Sequence, residues 1–124
     1  MNKYCFLLVL LILGCGGEDN NEVTNPTTLT ISNQNDLITI TQVSLVGNDF
    51  NSLSIGYNQS KTFVLGDING GYNGVNIKIY YDCGPRGWNE NTSIDLNEGG
   101  STTLTVKDSF PNGQGGCRDI SFQS

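Results

Sequence analysis

The alternation Val75-Asn76-Ile77-Lys78-Ile79-Tyr80-Tyr81 decides the fold class of this chain. Successive side chains on a β-strand point to opposite faces of the sheet, so this stretch has one apolar face and one largely polar face. A helix would instead repeat its apolar residues at intervals of three and four, and no stretch after Thr27 shows that pattern. The alternation therefore predicts a half-buried strand.

The same two-residue period continues on both sides of this strand, and Gly, Asn, Asp or Pro interrupts it at intervals of roughly ten residues. The inward parity changes after Ile40, which predicts a β-bulge, or a bend between sheets, near Thr41 or Gln42. We expect tight turns at residues 33–36 and 58–60, and a hairpin across residues 97–100. The apolar residues of the further predicted strands are Leu29 and Ile31, Ile38 to Leu45, Leu53 to Tyr57, Phe63 and Leu65, Ile94 and Leu96, Leu104 and Val106, and Ile120 and Phe122.

The number and length of these strands define one architecture. Roughly seven or eight short strands without intervening helices cannot be joined as parallel βαβ units. A chain of 124 residues also has room for only one compact domain. We predict an all-β, antiparallel two-sheet sandwich that occupies residues 27–124.

The composition argues against several functions. Twelve acidic and six basic residues give a net charge of -6, and the basic residues are scattered, so we expect no nucleic-acid partner. The chain contains no histidine, which removes the commonest general base and metal ligand. Carboxylates can still meet after folding, but turn chemistry and surface solubility account for them. We therefore predict a protein that is not an enzyme and has no cofactor and no bound metal.

The N-terminal segment has the features of an export signal. Lys3 precedes the apolar run Phe6 to Leu13, which is shorter than the roughly 20 residues that a membrane-spanning helix needs. The sequence Ile12-Leu13-Gly14-Cys15 resembles the lipobox of bacterial lipoproteins. This resemblance implies that residues 1–14 are removed and that the Cys15 thiol carries a diacylglycerol. The alternative is an uncleaved or ordinary secretory signal.

Residues 15–26 form a flexible tether in this interpretation. The stretch Gly16 to Glu22 is polar and acidic and offers nothing to bury. Glu18 and Asp19 resemble the acidic export signal of Bacteroidota-type surface lipoproteins, although a plain hydrophilic spacer has the same composition. The resemblance implies a lipid-anchored protein of the cell envelope, located in the outer membrane. Its orientation, towards the surface or the periplasm, stays open.

Two cysteines remain for the folded domain if the signal is removed with Cys5 and if Cys15 is acylated. These are Cys83 and Cys117, and they would lie in a compartment where disulfides persist. We predict that they form one disulfide, which should stabilise the domain by about 3 to 4 kcal/mol. A reactive or metal-binding pair is the alternative, but it would need a neighbouring cation or further ligands.

A ligand-binding surface is predicted around the only tryptophan. Residues 82–90 are expected to form a loop that carries Arg86 and Trp88, two residue types that are enriched in binding hot spots. Tyr72, Tyr80 and Tyr81 would extend this surface for stacking on a sugar. The alternative is that Trp88 caps the open end of the core and that Tyr80 is a solvated strand residue.

A calcium loop is a further possibility that the residues only partly support. Asp67, Asn69 and Asn73 begin with the alternate spacing of such a loop, but the later glutamate is missing. A turn of Gly and Asn without metal explains the same residues.

The spacing of strands and turns is similar to small lipoproteins with immunoglobulin-like or transthyretin-like sandwich domains. This resemblance does not by itself define a function. We expect a non-catalytic binding or interaction module that contacts protein or glycan. The alternative is a structural accessory lipoprotein of the envelope that acts through strand-edge or assembly contacts.

Overall fold

The structure is a computed structural model that describes residues 25–45, 47–66, 71–110 and 113–124. The predicted signal peptide, Cys15, most of the tether, and Asp67 and Asn69 of the predicted calcium loop lie outside these residues. Within the described ranges the chain forms eight strands and no helix, which confirms the all-β prediction. The strands are β1 (Thr28–Asn33), β2 (Thr39–Leu45), β3 (Asn48–Phe50), β4 (Gln59–Val64), β5 (Tyr72–Cys83), β6 (Arg86–Leu96), β7 (Ser101–Asp108) and β8 (Ile120–Gln123).

These strands form two sheets of four, as the sandwich prediction requires. The first sheet has the order β4-β1-β7-β8 and the second has the order β3-β2-β5-β6. Neighbouring strands are antiparallel, with the exception that β1 and β7 are parallel. Parallel neighbours need a long connection, and here the intervening chain supplies it by building the second sheet and the β4 edge.

The central strands confirm two local predictions. The decisive alternating stretch lies within β5, whose buried residues Ile77, Ile79 and Tyr81 face the core. The register between β2 and β5 shifts between Ile40 and Gln42, so the parity change is a β-bulge within one sheet.

The predicted hairpin across residues 97–100 is wrong. β6 belongs to the second sheet and β7 to the first, so these residues connect the two sheets. Strand β6 pairs with β5 instead, across a tight turn at Gly84 and Pro85. The two-residue period shows that Ile94 and Leu104 both face the core. It does not show that they belong to different sheets, which cover the core from opposite sides.

The strand predicted from Leu53 to Tyr57 is also wrong. Leu53 and Ile55 are buried, but the segment makes only an isolated bridge between Ile55 and Ile40. Positive φ angles at Ser52 and Asn58 turn the chain on either side of this bridge. Tyr57 consequently projects into solvent, and β4 begins at Gln59, within the predicted turn.

The long sides of the sandwich are closed by contacts between the sheets. On one side Phe50 and Phe63 pack with their ring centroids 4.5 Å apart. On the other side Cys83, at the end of β5, forms the predicted disulfide with Cys117, which precedes β8. Because this bond closes a loop of 34 residues across the two sheets, its stabilising contribution is about 3 to 4 kcal/mol.

The two ends of the sandwich have different roles in the chain path. We call one the proximal end, formed by residues 25–27 and 97–100, because the described chain enters there. Thr28 donates its backbone N–H to the carbonyl of Gly100 at this end, at 3.0 Å. We call the opposite end, formed by residues 34–38, 56–58, 84–85, 109–110 and 113–119, the distal end. Strands β1 and β7 both run from the proximal to the distal end.

Candidate functional site

Trp88 lies on the core side of the second sheet and not on a binding loop. The predicted loop 82–90 is the β5–β6 hairpin, in which Trp88 pairs with buried Tyr81. The indole packs against the core, its Nε1 is buried without a hydrogen-bond partner in the described structure, and the guanidinium of Arg118 lies 4.5 Å from its ring centroid. This placement matches the alternative that Trp88 covers the edge of the core.

The predicted ligand-binding residues do not form one surface, and one of them, Tyr81, is buried. Tyr80 lies on the outer face of the second sheet, where Lys78 Nζ is 5.3 Å from its ring centroid, whereas Trp88 faces inward. Tyr72 begins β5, about 25 Å along the strand from Tyr80. Arg86 is exposed at the distal start of β6. These residues are separated because neighbouring residues along β5 and β6 point to opposite faces of the sheet.

The distal end carries a depression that we call the distal pocket. Its volume is about 340 Å³, near the lower limit of the roughly 300–1,000 Å³ of small-molecule sites. Two aromatic rings line it, those of Tyr57 and Phe110, and their side chains are 54% and 50% exposed. The polar residues that line it are Gln34, Asp36, Lys107 and Asp108.

Buried Asn33 fixes two of the three segments that line the distal pocket. Its side-chain amide donates to the carbonyl of Ile38 at 2.9 Å and to that of Ile55 at 3.0 Å, while its Oδ1 accepts from Asn35 N–H at 2.9 Å. Its backbone carbonyl accepts from Asn58 N–H at 2.8 Å. The turn around Tyr57 and the β1–β2 loop are therefore held to the same residue.

Asp108 fixes the third segment, which carries Phe110. Its carboxylate accepts from the backbone N–H of Phe110 at 2.8 Å and from that of Gly115 at 3.2 Å. Ser109 N–H donates to the carbonyl of Asp119 at 2.8 Å, which closes the base of the loop. A side chain at Gly115 would collide with the Asp108 carboxylate. This carboxylate therefore has a structural task in the loop.

Other polar groups of the distal pocket are free to bind a ligand. The side chains of Gln34 and Asp36 and the hydroxyl of Tyr57 have no hydrogen-bond partner among the described residues. Lys107 Nζ donates to Gln123 Oε1 at 2.6 Å. The pocket thus combines apolar ring faces with a free amide, a free carboxylate and a free hydroxyl.

The described residues show no cluster of metal-ligating side chains at this site. They contain no group of three or more Cys, Asp or Glu side chains placed to hold a metal ion. Asn73, from the predicted calcium loop, is an exposed residue of β5.

Tyr81 has a raised pKa, because burial and the nearby Glu90 carboxylate disfavour its anion more than Arg118 favours it. Its hydroxyl donates to the carbonyl of Cys117 at 2.9 Å and faces the core edge.

A larger groove lies along the side of the sandwich between segment 52–55 and β4. Its volume is about 480 Å³, and Ser52, Ser54, Ser60 and Lys61 are among its lining residues. The apolar residues beneath it are nearly fully buried, so they offer a ligand little apolar surface. We therefore regard the distal pocket as the better candidate, although it is smaller.

No protein family, curated protein or solved structure matches this chain. In the part of the chain that the structure describes, no helix has the length and apolarity needed to cross a membrane. The case for function therefore depends on the geometry of the distal pocket.

Sequence reasoning missed the residues of this pocket. Tyr57 follows Leu53 and Ile55 at the two-residue spacing of a strand, so this spacing predicts that the three residues share one strand. The available signal was the adjacent Asn58, because asparagine is one of the few residues that tolerate the left-handed conformation it adopts here.

Proposed function

We propose that this chain is a membrane-anchored lipoprotein that displays a non-catalytic binding module and contacts its ligand at the distal pocket. The single observation that carries the proposal is the placement of the pocket at the end opposite the N-terminal connection. Half-exposed aromatic rings on a protein surface are favourable contact groups because they offer a large rigid apolar area.

The chain path fits a lipid anchor on Cys15. Residue 25 lies ten positions after Cys15, so an extended tether would reach at most about 35 Å from the membrane surface to the proximal end. Strand β1 then leads away from that end, so the distal pocket would lie at the end of the domain opposite the point of attachment. Two or more acyl chains would hold the protein on the membrane for long periods, whereas one would bind only marginally.

We propose no catalytic role for the pocket, because its carboxylates do not form a pair that is available to a substrate. Of the two carboxylates in the pocket, that of Asp108 already accepts two backbone hydrogen bonds. A pair of carboxylates can share general acid and base roles only if both can reach the substrate. Asp36 alone does not supply such a pair.

The contact site can be tested with full-length protein in detergent, incubated with solubilised envelope from the producing cells. We expect Tyr57→Ser combined with Phe110→Ser to abolish capture of the bound component. Tyr72→Ser is the matched control, because Tyr72 is similarly exposed, at 46%, but lies at the other end of β5. Equal capture by both variants would contradict the assignment of the site.

The anchor has a separate test. We expect Cys15→Ser to prevent incorporation of labelled fatty acid and to release the protein from membranes. A variant that still takes up the label would show that Cys15 is not the acylated residue.

The accessory-protein alternative is favoured by one observation, the free edge of β6. This strand has 11 residues and, among the described strands, pairs only with β5, so one edge of its backbone is open to another strand. If this edge drives assembly, Asn91→Lys should disrupt the assembly, and the paired serine substitutions at Tyr57 and Phe110 should leave it intact.

A further inference from the structure

We infer that the distal pocket binds a neutral, hexose-based carbohydrate. This inference rests on the proposed function, because it names the ligand class of the same pocket. It depends on three features of the pocket: its exposed ring faces, its free hydrogen-bonding groups and the sign of its charge.

The ring faces suit one surface of a sugar. A hexose has a C–H-rich face and a rim of hydroxyls, so it is amphipathic in the same way as a tyrosine side chain. Tyr57 and Phe110 come from different segments and line one depression, and about half of each side chain is open to solvent. Covering these rings with a C–H-rich face removes apolar surface from water, which is the favourable term for such a contact.

The free polar groups suit the rim of the same sugar. Each sugar hydroxyl both donates and accepts a hydrogen bond. The Gln34 amide can do either, the Asp36 carboxylate accepts, and the Tyr57 hydroxyl can do either. A purely apolar ligand would leave these groups desolvated without partners, which opposes binding.

The charge around the pocket selects against other ligand classes. The carboxylates of Asp36 and Asp108 outnumber the one cation, Lys107, among the residues that line the pocket, so the lining disfavours anionic sugars such as uronic acids or sulfated glycans. A cationic ligand would be drawn to the carboxylates, but Asp108 is committed to two backbone N–H groups and Lys107 also lines the site. A neutral ligand meets neither difficulty.

Hydrogen bonds hold the described segments of the pocket in place before a ligand binds. The turn that carries Tyr57 and the loop that carries Phe110 are held by the hydrogen bonds of Asn33 and Asp108 described above. A preformed site loses less conformational entropy on binding, which is important for a weak ligand such as an oligosaccharide.

The test uses full-length protein in detergent and isothermal titration with defined hexasaccharides of glucose, mannose and galactose. Polygalacturonate and heparin hexasaccharides are the anionic comparison. We expect at least one neutral hexasaccharide to bind more tightly than both anionic ones. Tyr57→Ala and Phe110→Ala should each weaken that binding at least about tenfold. Tyr57→Phe should keep most of the affinity because it keeps the ring, and Tyr72→Ala should bind like the wild type.

Other results would overturn the inference in different ways. Tighter binding of an anionic hexasaccharide, or neutral binding that neither alanine substitution weakens, would refute the carbohydrate assignment. If no hexasaccharide binds while the paired serine substitutions still abolish envelope capture, the ligand class is wrong and the proposed function stands. If neither assay depends on the two rings, both proposals fail. Thermal unfolding of each variant should show that it is folded.

Discussion

Replacing Asn33 by leucine is expected to destabilise the domain more than its position at the end of a strand suggests. Asn33 is fully buried, and its side chain holds the β1–β2 loop and the turn around Tyr57. Leucine has the same branched outline but can neither donate nor accept a hydrogen bond. The substitution therefore removes the polar contacts without leaving a large cavity.

The magnitude follows from the groups that lose their partners. The Ile38 carbonyl and the Asn35 N–H would each lose the hydrogen bond that Asn33 supplies, whereas the Ile55 carbonyl would keep a bond from Ile40 N–H at 3.0 Å. A buried polar group without a partner costs about 1 to 3 kcal/mol, and with about 1.5 kcal/mol for each, two such groups give about 3 kcal/mol. For a domain of this size, that loss would lower Tm by roughly 12 to 24 °C.

The assay is urea unfolding followed by tryptophan fluorescence, together with thermal unfolding. Asn91→Ala is the matched control, because Asn91 is exposed on β6 and should change the free energy of unfolding by less than about 0.5 kcal/mol. Asn33→Ala should be at least as damaging as Asn33→Leu. If leucine destabilises and alanine does not, overpacking is the cause. Wild-type stability in both variants would refute the hydrogen-bond argument.

Three further predictions concern stability. Burial raises the pKa of the Tyr81 hydroxyl in the folded protein, so this hydroxyl should lose its proton first in the unfolded chain, as pH rises above about 10. The free energy of unfolding should therefore fall in that pH range. Tyr81→Phe should flatten that decline in urea unfolding across alkaline pH; an unchanged slope would argue against it. Gly71→Ala should be more destabilising in thermal unfolding than Gly74→Ala. Both glycines have positive φ, but only a Cβ at Gly71 would approach the Leu96 carbonyl oxygen, at 2.7 Å. Equal losses of stability would show that this steric contact is not the cause. Cys117→Ser should cost about 3 to 4 kcal/mol, and treatment with a reductant should bring the wild type to the same stability.

Local patterns predicted those features that depend on neighbours in sequence. The alternation around Ile77 and Ile79 identified β5, and the change of parity after Ile40 located the β-bulge to within two residues. The pairing of Cys83 with Cys117 followed from counting the cysteines that remain when Cys5 and Cys15 are assigned to the predicted signal and its lipid attachment. Each of these inferences used a period or a count, which the linear sequence contains in full.

The proposed binding surface could not be predicted in the same way. Trp88 was chosen because its residue type is common in hot spots, but its parity on β6 sends it towards Tyr81 and the core. The spacing predicts that Tyr57 continues a strand with Leu53 and Ile55, although the chain turns at Asn58 and Tyr57 is exposed. Residue type and spacing do not show whether a side chain is buried or exposed where the backbone turns.

The sequence by itself determined that this protein is an all-β sandwich with a disulfide, because strand periodicity and cysteine number are local properties. Only the tertiary structure decided which strands pair, which end the chain enters, and which residues meet in the distal pocket. Gln34, Tyr57 and Phe110 are far apart in sequence and come together through the parallel pairing of β1 with β7 and the antiparallel pairing of β1 with β4. Those pairings depend on the burial of both sheets against one another, which is a property of the whole domain.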